Sequence, residues 1–177
     1  RVVASGYYDS FYIANAMRSR YASSEVVALN SDQDLPQCIS VSGNSLANSD
    51  HRIQDCILRA RNDSTGLSAS TVGIKVSAAR AGTKNTYVMA SNNQIECSGE
   101  LNSPNIPTLE SVTYGIAVDE STIAVGDLVV HSNNNIFDCS GARLNRAIHS
   151  GASGVVFTAN DRNKAGTAIT TSTSGGG

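Results

Sequence analysis

From Pro36 onward the chain breaks into short apolar runs, most too brief for a helix, separated by clusters of Asn, Ser and Gly such as SNNQ at 91–94 and SNNNI at 132–136. Runs of four to eight residues bounded by such punctuation are strands. QCISVSG alternates Cys38, Ile39 and Val41 with polar residues, and HRIQDCILRA gives a further candidate strand. TVGIKVSAA, TYVMAS, QIEC, SVTYGIAV, TIAVGDLVVHS, NIFDC and SGVVFTA continue the series. GARLNRAIHSG reads as one short helix or a turn, and NSPNIP as a rigid surface loop. No internal repeat is evident.

The first stretch has a different period. Tyr7, Phe11, Ala14, Met17 and Tyr21 recur at spacings of three and four, which would put them on one face of a helix. Asp9 or Ser10 could cap its start, and Arg18 and Arg20 fall where the helix dipole favours cations. A helix followed by strands predicts an α+β fold, with an N-terminal amphipathic helix packed on a mainly antiparallel, disulfide-stabilised sheet. At 177 residues the chain suits one domain, divided as helix 1–26, β-rich body 37–170 and flexible tail 171–177.

Cys38, Cys56, Cys97 and Cys139 are far apart, and none belongs to a C-x-x-C pair, so zinc is disfavoured. With charged residues at only 16%, the even cysteine count reads as two disulfides in an exported protein. Three connectivities are open; Cys38 with Cys56 and Cys97 with Cys139 close moderate loops and are favoured, each worth roughly 3 to 4 kcal/mol. The chain starts at Arg1 without a signal peptide, and the expectation is a trimmed, mature form.

A net charge of -2 argues against a strongly basic nucleic-acid binder. Basic residues do gather locally: Arg143, Arg146, Arg162 and Lys164 face only Asp161 between positions 143 and 164, a patch suited to phosphates or acidic polysaccharide if the segments meet in the fold. His131 and His149 have no nucleophile elbow near them, so catalysis is not expected. Asp32 with Asp34, Asp119 with Glu120, and the segment Asn160 to Gly166 suit calcium better than glycosidase chemistry, though the last lacks the later acidic ligands. Without a phosphate-binding glycine loop, no nucleotide cofactor is expected.

The stretches ANAMRSRYASSEVVALNSDQDLPQC, IPTLESVTYGIAVDE and VVFTANDRNKAGTAIT resemble parts of the soluble domain of a type IV pilin, minor pilin or pseudopilin. The resemblance implies a non-catalytic subunit of a bacterial surface filament, acting in assembly, adhesion or DNA uptake. It also implies filament subunits as partners, DNA or a host-surface ligand as a further one, and a membrane anchor upstream of Arg1. DNA contact would map to Arg143, Arg146, Arg162 and Lys164. The alternatives are an exported adhesin-like or lectin-like binding module, then a secreted hydrolase.

Overall fold

The computed structural model describes residues 2–5, 9–13, 16–30, 36–44, 46–62, 71–77, 84–99, 112–118, 128–141, 144–150 and 154–169. These contain sixteen strands and no helix. β1 (Val2–Ser5), β2 (Asp9–Ile13) and β3 (Arg18–Ala22) form the first coil of a solenoid, and β4 (Glu25–Asn30), β5 (Gln37–Ser42) and β6 (Ser49–Gln54) the second. β7 (Ile57–Asn62), β8 (Thr71–Ser77) and β9 (Thr86–Ser91) form the third, and β10 (Gln94–Gly99), β11 (Val112–Val118) and β12 (Leu128–Asn133) the fourth. β13 (Ile136–Ser140), β14 (Leu144–Ser150) and β15 (Gly154–Ala159) form the fifth, and β16 (Arg162–Asn163) begins a sixth.

Each strand from β1 to β13 pairs with the strand three further along the chain. Sheet A runs β1-β4-β7-β10-β13-β16, sheet B β14-β11-β8-β5-β2, and sheet C β15-β12-β9-β6-β3. All of these pairings are parallel; among the described residues the antiparallel contact is the single bridge Arg162 to Ala168. The α+β expectation with an antiparallel sheet is therefore corrected to an all-β parallel solenoid. The N-terminal helix is corrected too, since Phe11 lies on β2 and Tyr21 on β3, their rings edge to face at 5.2 Å. Met17 sits in the bend before β3 and is exposed, while Tyr7 and Ala14 lie outside the described residues. A three-four spacing over so short a stretch also fits two five-residue strands with a break between them. GARLNRAIHSG becomes strand β14, and HRIQDCILRA splits into β6 and β7 around a corner at Asp55 and Cys56.

The core consists of stacks along the solenoid axis, because parallel register places each inward side chain over its counterpart one coil earlier, about 4.8 Å away. Ile39, Ile74, Ile116 and Ile148 make one stack on sheet B, and Val41, Val76 and Val118 the next. Val26, Leu58, Ile95 and Phe137 line sheet A, and Val88, Val130 and Val156 sheet C. Branched side chains suit such stacks because their limited rotamers nest against copies of themselves.

The corner from sheet C to sheet A is always two residues. Its first residue takes a left-handed backbone: Ser23, Asp55, Asn92, Asn134 and Asn160 have φ between 51° and 58°. Asn and Asp tolerate this conformation best among side-chain-bearing residues, and they fill four of the five positions. The second residue turns inward and, in the later coils, forms a buried ladder. Asn135 Oδ1 accepts from the Asn93 backbone N–H at 2.9 Å and from Asn93 Nδ2 at 3.0 Å. Asn135 Nδ2 donates to the carbonyl of Ala90 at 2.9 Å, to Ser132 Oγ at 3.0 Å and to Asp161 Oδ1 at 3.0 Å. Asp161 Oδ1 also accepts from the Asn135 backbone N–H at 2.7 Å.

One imidazole stands inside sheet C. His51 is fully buried in the stack with Val88, bonded through Nδ1 to Ser19 Oγ at 2.8 Å, with no partner at Nε2. Burial lowers its pKa, and the charge of Asp50 opposes this only in part. The unfolded imidazole, with a pKa of about 6.5, then binds more protons than the folded one. Stability from this group is present above that pH and is lost as pH falls below it. We expect urea unfolding between pH 7 and 5 to show a shallower loss of stability in His51→Gln than in the wild type; parallel curves would sink the assignment.

Candidate functional site

Outward residues of sheet C form three rows along the axis. The first is Arg18, Asp50, Tyr87, Val129 and Val155; the second is Arg20, Arg52, Met89, His131 and Phe157; the third is Ala22, Gln54, Ser91, Asn133 and Ala159. Soluble domains normally cover large apolar side chains, yet here Tyr87 is 38%, Met89 39%, Val155 48% and Phe157 54% exposed. Four apolar side chains on two adjacent rows over three consecutive coils make a contiguous stripe. His131 belongs to it, stacked on Phe157 at 5.0 Å with 17° between the rings.

Beside the stripe, the third row is polar: Gln54 Nε2 donates to Ser91 Oγ at 3.3 Å, and Asn133 is exposed. At the N-terminal end stand Arg18, Arg20 and Arg52, all exposed. The three rows hold one carboxylate, Asp50, 3.7 Å from Arg52. A hollow of about 680 Å³ opens beside them between Met17, Arg18, Asn48, Asp50 and Tyr87.

The basic residues singled out in the sequence do not meet on one face. Arg146 projects from sheet B, where it donates to Nδ1 of His149 at 3.2 Å, and His149 stacks on Tyr114 at 4.6 Å. A guanidinium can only donate, so Nδ1 of His149 is the acceptor in this contact. Arg162 and Lys164 lie on sheet A, Lys164 bonded to Asp138 at 2.6 Å, and Arg143 lies outside the described residues. Asp32, Asp34, Asp119 and Glu120 are likewise outside them. Within Asn160 to Gly166, Asn160 and Asp161 form a corner, and Asp161 is committed to the buried ladder. Among the described residues no three His, Cys, Asp or Glu side chains cluster closely enough to hold a metal.

All four cysteines carry free thiols. Cys97 and Cys139, one of the favoured pairs, are in-register neighbours on β10 and β13. Cys38 and Cys56 are on different elements: Cys38 Sγ faces the carbonyl of Val26 at 3.8 Å, and Cys56 occupies the inner corner position, its Sγ 3.1 Å from the carbonyl of Gln54. Burial pushes the Cys38 thiol up to about 12, and the neighbouring Cys139 together with burial raises Cys97 well above the usual thiol range.

The sequence reading missed this face because Arg20, Arg52, Met89, His131 and Phe157 stand 26 to 42 residues from one to the next and only coil register joins them. The available signal was alternation: in TYVMAS and GVVFTA two large apolar residues stand two apart, Tyr87 with Met89 and Val155 with Phe157. No family model, curated protein or solved structure matches the chain.

Proposed function

We propose that this chain is a non-catalytic binding module whose sheet C face holds an extended glycan along the solenoid axis. The observation that carries it is the pair of rows in which exposed Tyr87, Met89, Val155 and Phe157 flank Val129 and His131 in register over three coils, with a polar row alongside. A pyranose ring has a C–H face that packs on such side chains and a hydroxyl edge that bonds amides and hydroxyls such as Asn133 and Gln54. Coil spacing of about 4.8 Å is close to the length of one hexopyranose residue in an extended chain, so successive sugars would meet successive coils.

The face suits a narrow ligand better than a folded partner. Five strands and three rows span roughly 24 Å by 15 Å, or about 360 Å², against about 800 Å² per partner in a stable protein interface. Hydrolysis would need two carboxylates facing each other across the bound chain, and the three rows supply Asp50 alone. The filament-subunit reading depended on an N-terminal helix that is two strands in this fold, so the binding-module alternative is the one the geometry favours. Phe157→Ala and Met89→Ala should each weaken glycan binding about tenfold in affinity electrophoresis or calorimetry while leaving the circular dichroism unchanged. Wild-type affinity in both variants would refute the proposal.

A further inference from the structure

On sheet A, cations meet carboxylates of neighbouring coils in three pairs. Arg59 sits in register with Glu96 and donates to it at 2.8 Å, a second bond joins Arg59 to Glu25, and Lys164 pairs with Asp138. Sheet C does the opposite. Arg20 and Arg52 occupy the same outward row on adjacent strands, about 4.8 Å apart along the backbone, where like charges repel. Arg18 lies two residues before Arg20 on the same face, and the nearby carboxylate, Asp50, reaches Arg52 only at 3.7 Å with both side chains about half exposed, an arrangement that contributes little. A repulsive arginine pair serves no packing purpose on an exposed face. It does continue, in register, the second apolar row through Met89, His131 and Phe157.

We infer that the ligand of the sheet C face is an acidic glycan, whose anionic groups lie across Arg20 and Arg52, with Arg18 beside them, while its sugar rings pack on Tyr87, Met89 and Phe157. This inference rests on the glycan-binding reading and adds the charge of the ligand. Planar guanidinium groups bind carboxylate and sulfate through paired N–H bonds, and an anion between two arginines removes their repulsion. The apolar rows then hold the rings in line with the coils, a demand that charge alone would not make.

The test uses three probes of matched length on the intact chain at low salt, with affinity measured by calorimetry: oligogalacturonate, its fully methyl-esterified form and sulfated dextran. The wild type should bind oligogalacturonate at least tenfold more tightly than the ester. The double variant Arg20→Gln, Arg52→Gln should lose that preference, keep its affinity for the ester and melt at the same temperature or higher, since repulsion is relieved. Tighter binding of sulfated dextran, also lost in the double variant, supports the proposal with sulfate as the acid group.

Equal affinity for oligogalacturonate and ester, or a preference that survives in the double variant, overturns the inference and leaves the glycan reading standing. Failure of every glycan to bind sinks that reading itself. A DNA duplex bound as tightly as oligogalacturonate, and unaffected by Phe157→Ala, overturns the inference by assigning the arginines to a nucleic acid.

Discussion

Asn135→Ala should lower the unfolding free energy by about 3 kcal/mol, the larger part of what a single polar substitution can remove from a domain of this size. Its Oδ1 receives two bonds from Asn93, and the two protons of its Nδ2 serve three acceptors within hydrogen-bond reach, all buried. Truncation leaves the Asn93 backbone N–H and the oxygens of Ala90 and Ser132, all on buried residues, without these partners. The neighbouring Asn134 is the control. Its side chain is exposed and bonds Asn92 Oδ1 at 2.9 Å on the outside of the same corner, so Asn134→Ala should cost below about 1 kcal/mol, mainly for its left-handed backbone. Urea unfolding of the two variants measures both. Equal losses would show that corner conformation, and not the buried ladder, carries the stability.

Gly115→Ala should be comparably damaging for a steric reason, about 3 kcal/mol or more in the same measurement. A β-carbon at this position would lie 2.3 Å from Cδ1 of Phe137 and 2.5 Å from the carbonyl oxygen of Ala147. The ring could be trimmed, but the carbonyl belongs to β14, the strand paired with β11. Phe137→Leu in the Gly115→Ala background should therefore recover only part of the loss, the rest residing in the backbone contact. Full recovery would show that the ring alone sets the limit. Gly73, one coil earlier on β8, is hemmed in the same way by Ile95 Cγ2 at 2.4 Å and the Gly115 carbonyl at 2.6 Å. Together they let sheets A and B approach closely at this level of the core.

Strand positions were legible in the sequence because alternation and punctuation are local. TYVMAS coincides with β9, and QIEC and NIFDC fall within or against β10 and β13. Strand direction was not legible, since nothing local distinguishes a hairpin partner from a strand one coil away. The repeat was hidden as well. Equivalent residues of successive coils are 32, 37, 42 and 26 positions apart, as in Ser19 with His51, Asp55 with Asn92, Asn92 with Asn134, and Asn135 with Asp161. A search at a fixed period cannot align such coils. What stays constant is the pair at each corner, Ser23-Ser24, Asp55-Cys56, Asn92-Asn93, Asn134-Asn135 and Asn160-Asp161, with a strand directly before and after it. SNNQ and SNNNI were read as breaks between strands, which they are. Their shared depth inside the fold had no local signature.

The candidate site was less legible than the strands. Arg146, singled out as part of a basic patch, meets His149 on sheet B, while Arg162 went to β16 of sheet A and Lys164 to the turn after it, paired with Asp138. Residues close in sequence spread around the three sheets of a solenoid, and those sharing a face come from different coils.

The invariant two-residue corner has an implication for how such a chain can change. Residues added between sheets A and B, or between B and C, lengthen a coil without disturbing the phase in which the next one begins, because the corner restores it. Whole coils could in principle be duplicated or deleted between successive asparagine pairs, leaving the stripe on sheet C longer or shorter but unbroken. The protein thus resembles a ruler with movable graduations: the length of the exposed face is set by counting coils, independently of the loops that vary around them.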